Sequence, residues 1–130
     1  MASIFSKIIS GEIPCYKIAE NDYCLAFLDV SPLTKGHVLV VPKKEVDLLF
    51  DLEDKDYQEV HAMAKKVAGA IKKAVHCTRV GSAVIGLEVP HAHVHLVPLN
   101  NIGDLNFKKE RLKLSIEEFE LIAADIRRYL

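Results

Sequence analysis

The sequence of 130 residues has no Cys-x-x-Cys pair, no long apolar run and no excess of charge of either sign. Its three cysteines, Cys15, Cys24 and Cys77, are odd in number and widely spaced. That suits small buried thiols in a reducing compartment and argues against a disulfide frame or a cysteine-built zinc site. With 17 Lys and Arg against 18 Asp and Glu, the formal net charge is -1, so no whole-protein field draws nucleic acid or an anionic membrane. Any phosphate recognition must be local. No apolar stretch approaches membrane-spanning length, and the opening residues lack a basic segment followed by a long apolar one. The expectation is a cytoplasmic protein with neither a membrane nor a nucleic-acid partner. Internal repeats and low-complexity tracts are also absent. A composition of 50% hydrophobic and 27% charged residues is that of one globular domain with its own core.

The local patterns predict an α+β fold. Ser3 is a plausible N-cap for a short helix with Ile4, Phe5, Ile8 and Ile9 on one face, stopped by Gly11 and Pro14. Tyr16 to Ala19 and Tyr23 to Leu28 read as strands joined through Glu20-Asn21-Asp22, and after the loop Asp29 to Gly36, His37 to Pro42 reads as a short buried strand. From Asp54 to Val75, the spacing of Tyr57, Val60, Ala64, Val67, Ala68, Ile71 and Ala74 is helical. Thr78 to Ile85 returns to strand, and Gly86 to Pro90 bends. The result is a meandering antiparallel sheet of about five strands with one main helix. Beyond Pro98 come a loop, a basic segment with Lys108, Lys109, Arg111 and Lys113, and a last helix opened by the capping box Ser115-Ile116-Glu117-Glu118. Residues 1–130 thus form one domain with a core at about residues 4–98. Residues 99–130 read as an ordered helical appendage that could join a dimer contact or reach over a partner's site, its basic segment as a solvated face or a contact for an acidic partner or substrate.

Chemistry concentrates in Pro90-His91-Ala92-His93-Val94-His95-Leu96-Val97-Pro98. Residues two apart in a strand share a face, so the three imidazoles point one way while Ala92, Val94 and Leu96 point into a core. Spaced about 6.6 Å apart along the backbone, the rings can gather around a phosphate or ligate a metal such as zinc with one position open. Both readings stand at this level. Three plain core histidines would need too many partners for adjacent buried rings. A neutral imidazole keeps one free lone pair, and what its other nitrogen donates to decides which nitrogen that is. His61, on the long helix, and His76, near its end, are surface or helix-terminal residues rather than site candidates.

His91 to Val97 follows His-φ-His-φ-His-φ-φ, φ being apolar, and so resembles the motif of the histidine-triad family of nucleotidyl hydrolases and transferases. Ile4 to Pro14, Ala26 to Pro32 and Gly36 to Lys43 are similar to that family's N-terminal blocks, in family order. The resemblance covers about residues 4–98. It implies that His93 is a nucleophile forming a covalent nucleotidyl-histidine at the α-phosphorus, with the His91 carbonyl orienting its ring. It further implies that His95 and His37 line the phosphate site, that His91 supports them, and that Asp29 accepts from both ribose hydroxyls. Ile4, Phe5, Ile8, Phe27, Leu28 and Val30 would wall the purine base. A homodimer is implied, and no cofactor.

The chain also departs from the family pattern. The nucleoside-phosphoramidase and dinucleotide-polyphosphate branches carry Gly-Gln and then Ser or Thr before the first histidine, where this chain has Gly86-Leu87-Glu88-Val89-Pro90. Leu87 offers a phosphate no hydrogen bond, and an ionised Glu88 repels one unless it turns away or meets a basic partner. Some bacterial relatives hold structural zinc where this chain has Ser3, Ser6 and Glu45, so no metal is expected there. The expected activity is cleavage at the α-phosphorus of a purine nucleotide conjugate. A nucleotide- or partner-binding module with weak turnover is the alternative, and a histidine-ligated zinc site a further one.

Overall fold

The computed structural model describes residues 2–130. Helix α1 (Ile4–Ile9) is capped by Ser3, whose hydroxyl accepts from Ser6 N at 3.0 Å. Strands β1 (Lys17–Glu20) and β2 (Cys24–Leu28) form a hairpin. Its turn is closed by the Asn21 side-chain oxygen, which accepts from Tyr23 N and Cys24 N. Strand β3 (Val38–Pro42), helix α2 (Asp54–Ala74), strands β4 (Arg79–Ala83) and β5 (Val94–Leu99) and helix α3 (Ile116–Arg128) follow. The loop before β3 turns at Gly36, with φ of 95°. A Cβ there would meet Val75 Cγ2 at 2.8 Å, so both conformation and space require glycine in the turn that delivers His37.

All five strands pair antiparallel, in the order β1-β2-β3-β5-β4. This differs from the expected meander, because β5 lies between β3 and β4. His95 opposes Leu39 on one side and Ala83 on the other. Composition explains the choice: Val94 to Pro98 are buried throughout and suit a central strand, whereas β4 carries Arg79, Gly81 and Ser82 and is left at the edge. The strand is also shorter than predicted, ending at Ala83 rather than Ile85.

The sheet has two distinct faces. Cys24, Ala26, Leu28, Val38, Val40, Val94 and Leu96 meet Val60, Met63, Ala64, Val67 and Ile71 of α2 in the main core. Leu25, Phe27, Leu39 and Val41 form a smaller cluster on the other face with Phe5, against which Ile8 and Ile9 pack. The imidazoles belong to this second face, since His95 is paired with Leu39 and paired residues share a side.

Helix α3 does not stand apart as an appendage. Phe119, Ile122, Ala123 and Ile126 enter the main core, and the Phe119 ring stacks on Tyr16 at 4.9 Å. The capping box predicted at Ser115 is present, with Glu118 N donating to Ser115 Oγ and Ser115 N to Glu118 Oε1, both at 3.1 Å. Because Ile126 is fully buried, Ile126→Ala is expected to lower stability by about 2–5 kcal/mol in equilibrium urea unfolding. A loss under about 0.5 kcal/mol, the range of surface changes, would mean that α3 does not share the core.

Candidate active site

Only His95 lies within β5. His91 and His93 precede it, which corrects the expectation of three histidines on one strand. The ladder stops because β3 ends in Pro42, which has no N–H to donate. The Pro42 carbonyl instead accepts from His91 Nε2 at 2.8 Å, and Ala92 N donates to Val46 O at 2.7 Å. The alternation of faces survives this change of partner. Ala92 joins the helix-side core, while His91 and His93 both meet the Phe5 ring, at 5.7 and 4.9 Å between centroids.

Hydrogen bonds fix the tautomer of each ring. The His91 carbonyl lies 2.7 Å from His93 Nδ1 and can only accept. Nδ1 therefore carries the proton, and Nε2 of His93 keeps a free lone pair. In His91, Nε2–H donates to Pro42 O, and Nδ1 accepts from the Ser3 hydroxyl at 2.7 Å. His37 Nδ1 accepts from Leu33 N at 3.0 Å, so its Nε2–H donates to His95 Nδ1, also at 3.0 Å. That leaves His95 with a donor at Nε2. The site thus presents one lone pair, on His93, beside one N–H, on His95, with 5.0 Å between the ring centroids.

Burial separates the rings that can be reached from those that support them. His37 and His91 are 0% exposed, whereas His93 and His95 keep 7% and 8%. Burial lowers the proton affinity of His37, His95 and His91. His37 falls to about 3, through desolvation first, then the charges of His95, Arg111 and Lys109. His95 falls to about 4, through desolvation first, then His93 and Arg111. His91 is lowered mainly by desolvation. Asp29 is raised by burial, partly offset by Ser31 N, which donates to its Oδ1 at 2.8 Å. Its Oδ2 lies 3.6 Å from His37 Nε2.

The structure brings together His37, His91, His93, His95, Asp29, Phe5 and Phe27; Ile8 packs on the Phe5 and Phe27 cluster. Ile4 and Val30 are 49% and 64% exposed. Leu28 turns the other way, into the core beneath the helices. Leu87 is 89% exposed, and the charge of Glu88 is felt at Asp29 but is not among the influences on His37 or His95.

Sequence reasoning missed Phe107, whose ring stands edge-on to His95 at 4.8 Å, and Arg111, which lies over Phe107. The basic segment is therefore not a uniform solvated face. Phe107, Lys109 and Arg111 are half-buried, while Lys108 and Glu110 are exposed. The sequence carries no signal for this alternation, since the exposed Lys108 and the half-buried Lys109 are the same residue type.

Two groups bear on metal binding. Ser3 N and Ser6 Oγ donate to Glu45 Oε1 at 2.6 and 2.7 Å, so Ser3, Ser6, Glu45 and His91 form one hydrogen-bonded cluster. Hydroxyls are not among the usual zinc donors, and this set does not match the ion's preferred ligands. The donors that converge within 4.8 Å are Asp29, His37 and His95 rather than the three histidines of the row. Two of these already bond each other.

Residues 10–102 match the family model described as the HIT domain. The chain is 38% identical over 102 residues to the adenosine 5'-monophosphoramidase of Schizosaccharomyces pombe, covering 78% of this chain and 77% of that protein. It is 34% identical over 139 residues to an adenylylsulfatase of Arabidopsis thaliana, covering 98% of this chain and 68% of the relative. The crystal structure of a HIT-like protein involved in cell-cycle regulation from Bartonella henselae superposes with a TM-score of 0.84 at 31% identity, covering 98% of this chain and 96% of that one.

In the unfolded chain His37 and His95 take up protons near pH 6.5, whereas in the fold they do so near 3 and 4. Between those limits the unfolded state binds more protons. The stability contributed by keeping these rings neutral is thus complete above about pH 6.5 and is lost as the pH falls towards 4. Urea unfolding from about pH 7 to about pH 4.5 should show this decline, and His37→Asn, which keeps an acceptor for Leu33 N, should flatten it. An unchanged slope in the variant contradicts the assignment.

Proposed function

Because the chain belongs to the histidine-triad (HIT) family, we propose that it is a nucleotide hydrolase or nucleotidyl transferase acting at the α-phosphorus of a purine nucleotide conjugate, with His93 as the nucleophile. The observation that carries this reading is the 2.7 Å hydrogen bond from His93 Nδ1 to the His91 carbonyl, which leaves Nε2 free to attack. Nε2 forms a bond to the α-phosphorus as the bond to the leaving group breaks. Water then cleaves the P–N bond and restores the ring. One difficult displacement becomes two easier ones.

The other residues divide the remaining work. His95 Nε2–H would stabilise charge developing on the phosphoryl oxygens. His37 holds His95 in the tautomer that makes this possible, so it acts through its neighbour rather than by direct contact. Asp29 keeps acceptor capacity beyond its bond to Ser31 N and would take the ribose hydroxyls. Phe5 and Phe27, their rings 5.7 Å apart, with Ile4, Ile8 and Val30 would cover the base; Leu28 would support this wall from the other side of the sheet. The soluble cytoplasmic location and homodimer belong to the same reading. A second copy would pair at β4, an edge strand whose outer side has no partner among the described residues.

A nucleotide-binding module with weak turnover is favoured by one feature, the exposed Leu87 and Glu88 leading into the histidines. Rapid mixing with adenosine 5'-phosphoramidate followed by intact mass measurement separates the two. Wild type is expected to gain an adenylyl adduct and release AMP, whereas His93→Ala gains none and loses at least about a thousandfold in rate. Binding without an adduct, and with product release no greater than the variant's, would leave the module reading in its place.

A further inference from the structure

After β5 the chain crosses back over the imidazoles. Phe107 closes on His95, the Arg111 guanidinium lies 5.6 Å from the Phe107 ring centroid, and Arg111 Nη1 donates to Ser31 O at 2.7 Å. Leu112 N donates to Pro32 O at 2.9 Å, so the segment is pinned on the same loop whose Ser31 N holds Asp29. Arg111 therefore stands between the Asp29 loop and the ring that covers His95. Of its five N–H donors, one has a protein acceptor among the described residues. It takes part in no ion pair there, whereas its neighbour Lys109 faces Asp104 at 3.9 Å. A half-buried guanidinium, stacked in place and lacking a carboxylate, is a preorganised anion contact.

The charges around it agree. Arg111 depresses proton binding at His37 and His95 and also at Asp29, where its effect outranks the opposing one of Glu88. The phosphate end of the site is thus electropositive despite the acidic residue at its rim.

We propose that Arg111 is a specificity-determining residue that grips an anionic leaving group, so that the site prefers nucleotide conjugates whose α-phosphorus bears a tetrahedral oxyanion over those bearing an amine. The inference rests on the function proposed above and names the leaving-group class. His93 Nε2 forms the bond to phosphorus with its lone pair. The bridging P–O bond breaks, and its electrons remain on the departing sulfate or phosphate. A sulfate leaves as the dianion and needs no proton, whereas an amine must be given one. Water then attacks phosphorus, the P–N electrons return to His93, and one proton passes to solvent. A guanidinium fork matches two oxygens of such an oxyanion and offers an amine nothing.

The test compares kcat/KM for adenosine 5'-phosphosulfate and adenosine 5'-phosphoramidate in wild type, Arg111→Gln and Arg111→Lys. The preference for phosphosulfate is expected to fall by about tenfold or more in Arg111→Gln, with partial recovery in Arg111→Lys, which keeps the charge but not the fork. An unchanged preference, or equal loss on both substrates, would overturn the proposal and leave Arg111 a structural fastening. Calorimetric binding of the same two compounds to His93→Ala, with and without Arg111→Gln, reads the preference without turnover. A shifted binding ratio, with wild type turning over neither compound, would sustain Arg111's role and refute the catalytic reading. An unshifted ratio refutes Arg111's role whatever the turnover.

Discussion

A single short hydrogen bond, from His93 Nδ1 to the carbonyl of His91, decides which side of the central imidazole is chemically available. Everything around it serves to hold that donor and acceptor two residues apart in one geometry. The His91 ring is itself pinned, with Pro42 O accepting at one nitrogen and the Ser3 hydroxyl donating to the other. Ser3 is the N-cap of α1, and Glu45 ties that cap to the chain beyond β3. The short helix therefore does more than supply Phe5 to the apolar cluster: it locks the residue whose carbonyl orients the His93 ring.

A second chain of bonds sets the neighbouring ring with opposite polarity. A backbone N–H, from Leu33, starts it by obliging His37 to donate onward to His95. Burial keeps both rings neutral, and because it is the leading cause of their shifts, the arrangement depends on packing more than on any one charge. The segment through Phe107 and Arg111 then covers these rings with an aromatic lid and a positive charge. The charge of Arg111 thus reaches both the imidazoles and Asp29, where it opposes that of Glu88.

Much of the fold and of the site was legible because its causes are local. Helix α2 runs from Asp54 to Ala74, within a residue of the predicted span, because its apolar spacing commits one face to the sheet. The opening helix and the capping box at Ser115 were equally plain. The row of histidines stood out by its spacing, whereas His37 and Asp29 were reached through the resemblance to the histidine-triad family. Where the causes are long-range, local patterns did not suffice. That β5 would enter between β3 and β4 depends on which strand tolerates burial on both faces. The withdrawal of His91 and His93 from the ladder depends on Pro42, 49 residues before His91. Leu28 adjoins Asp29 yet faces the opposite layer, a matter of strand parity rather than nearness in sequence. Arg111 reads as one more surface cation until the chain's return path is known.

The central claim is that the fold presents His93 with a protonated Nδ1 and an open Nε2, beside His37, His91 and His95 protonated at Nε2. Long-range proton–nitrogen correlation NMR of the histidine side chains at about pH 7 tests this most directly, since the two tautomers give distinct nitrogen shift patterns. Of the four site rings, distinguished from His61 and His76 by substitution, three are expected to carry the proton on Nε2 and one, assigned to His93 by its loss in His93→Ala, to carry it on Nδ1. A His93 signal with the proton on Nε2 would contradict it, since no free lone pair would then face the site.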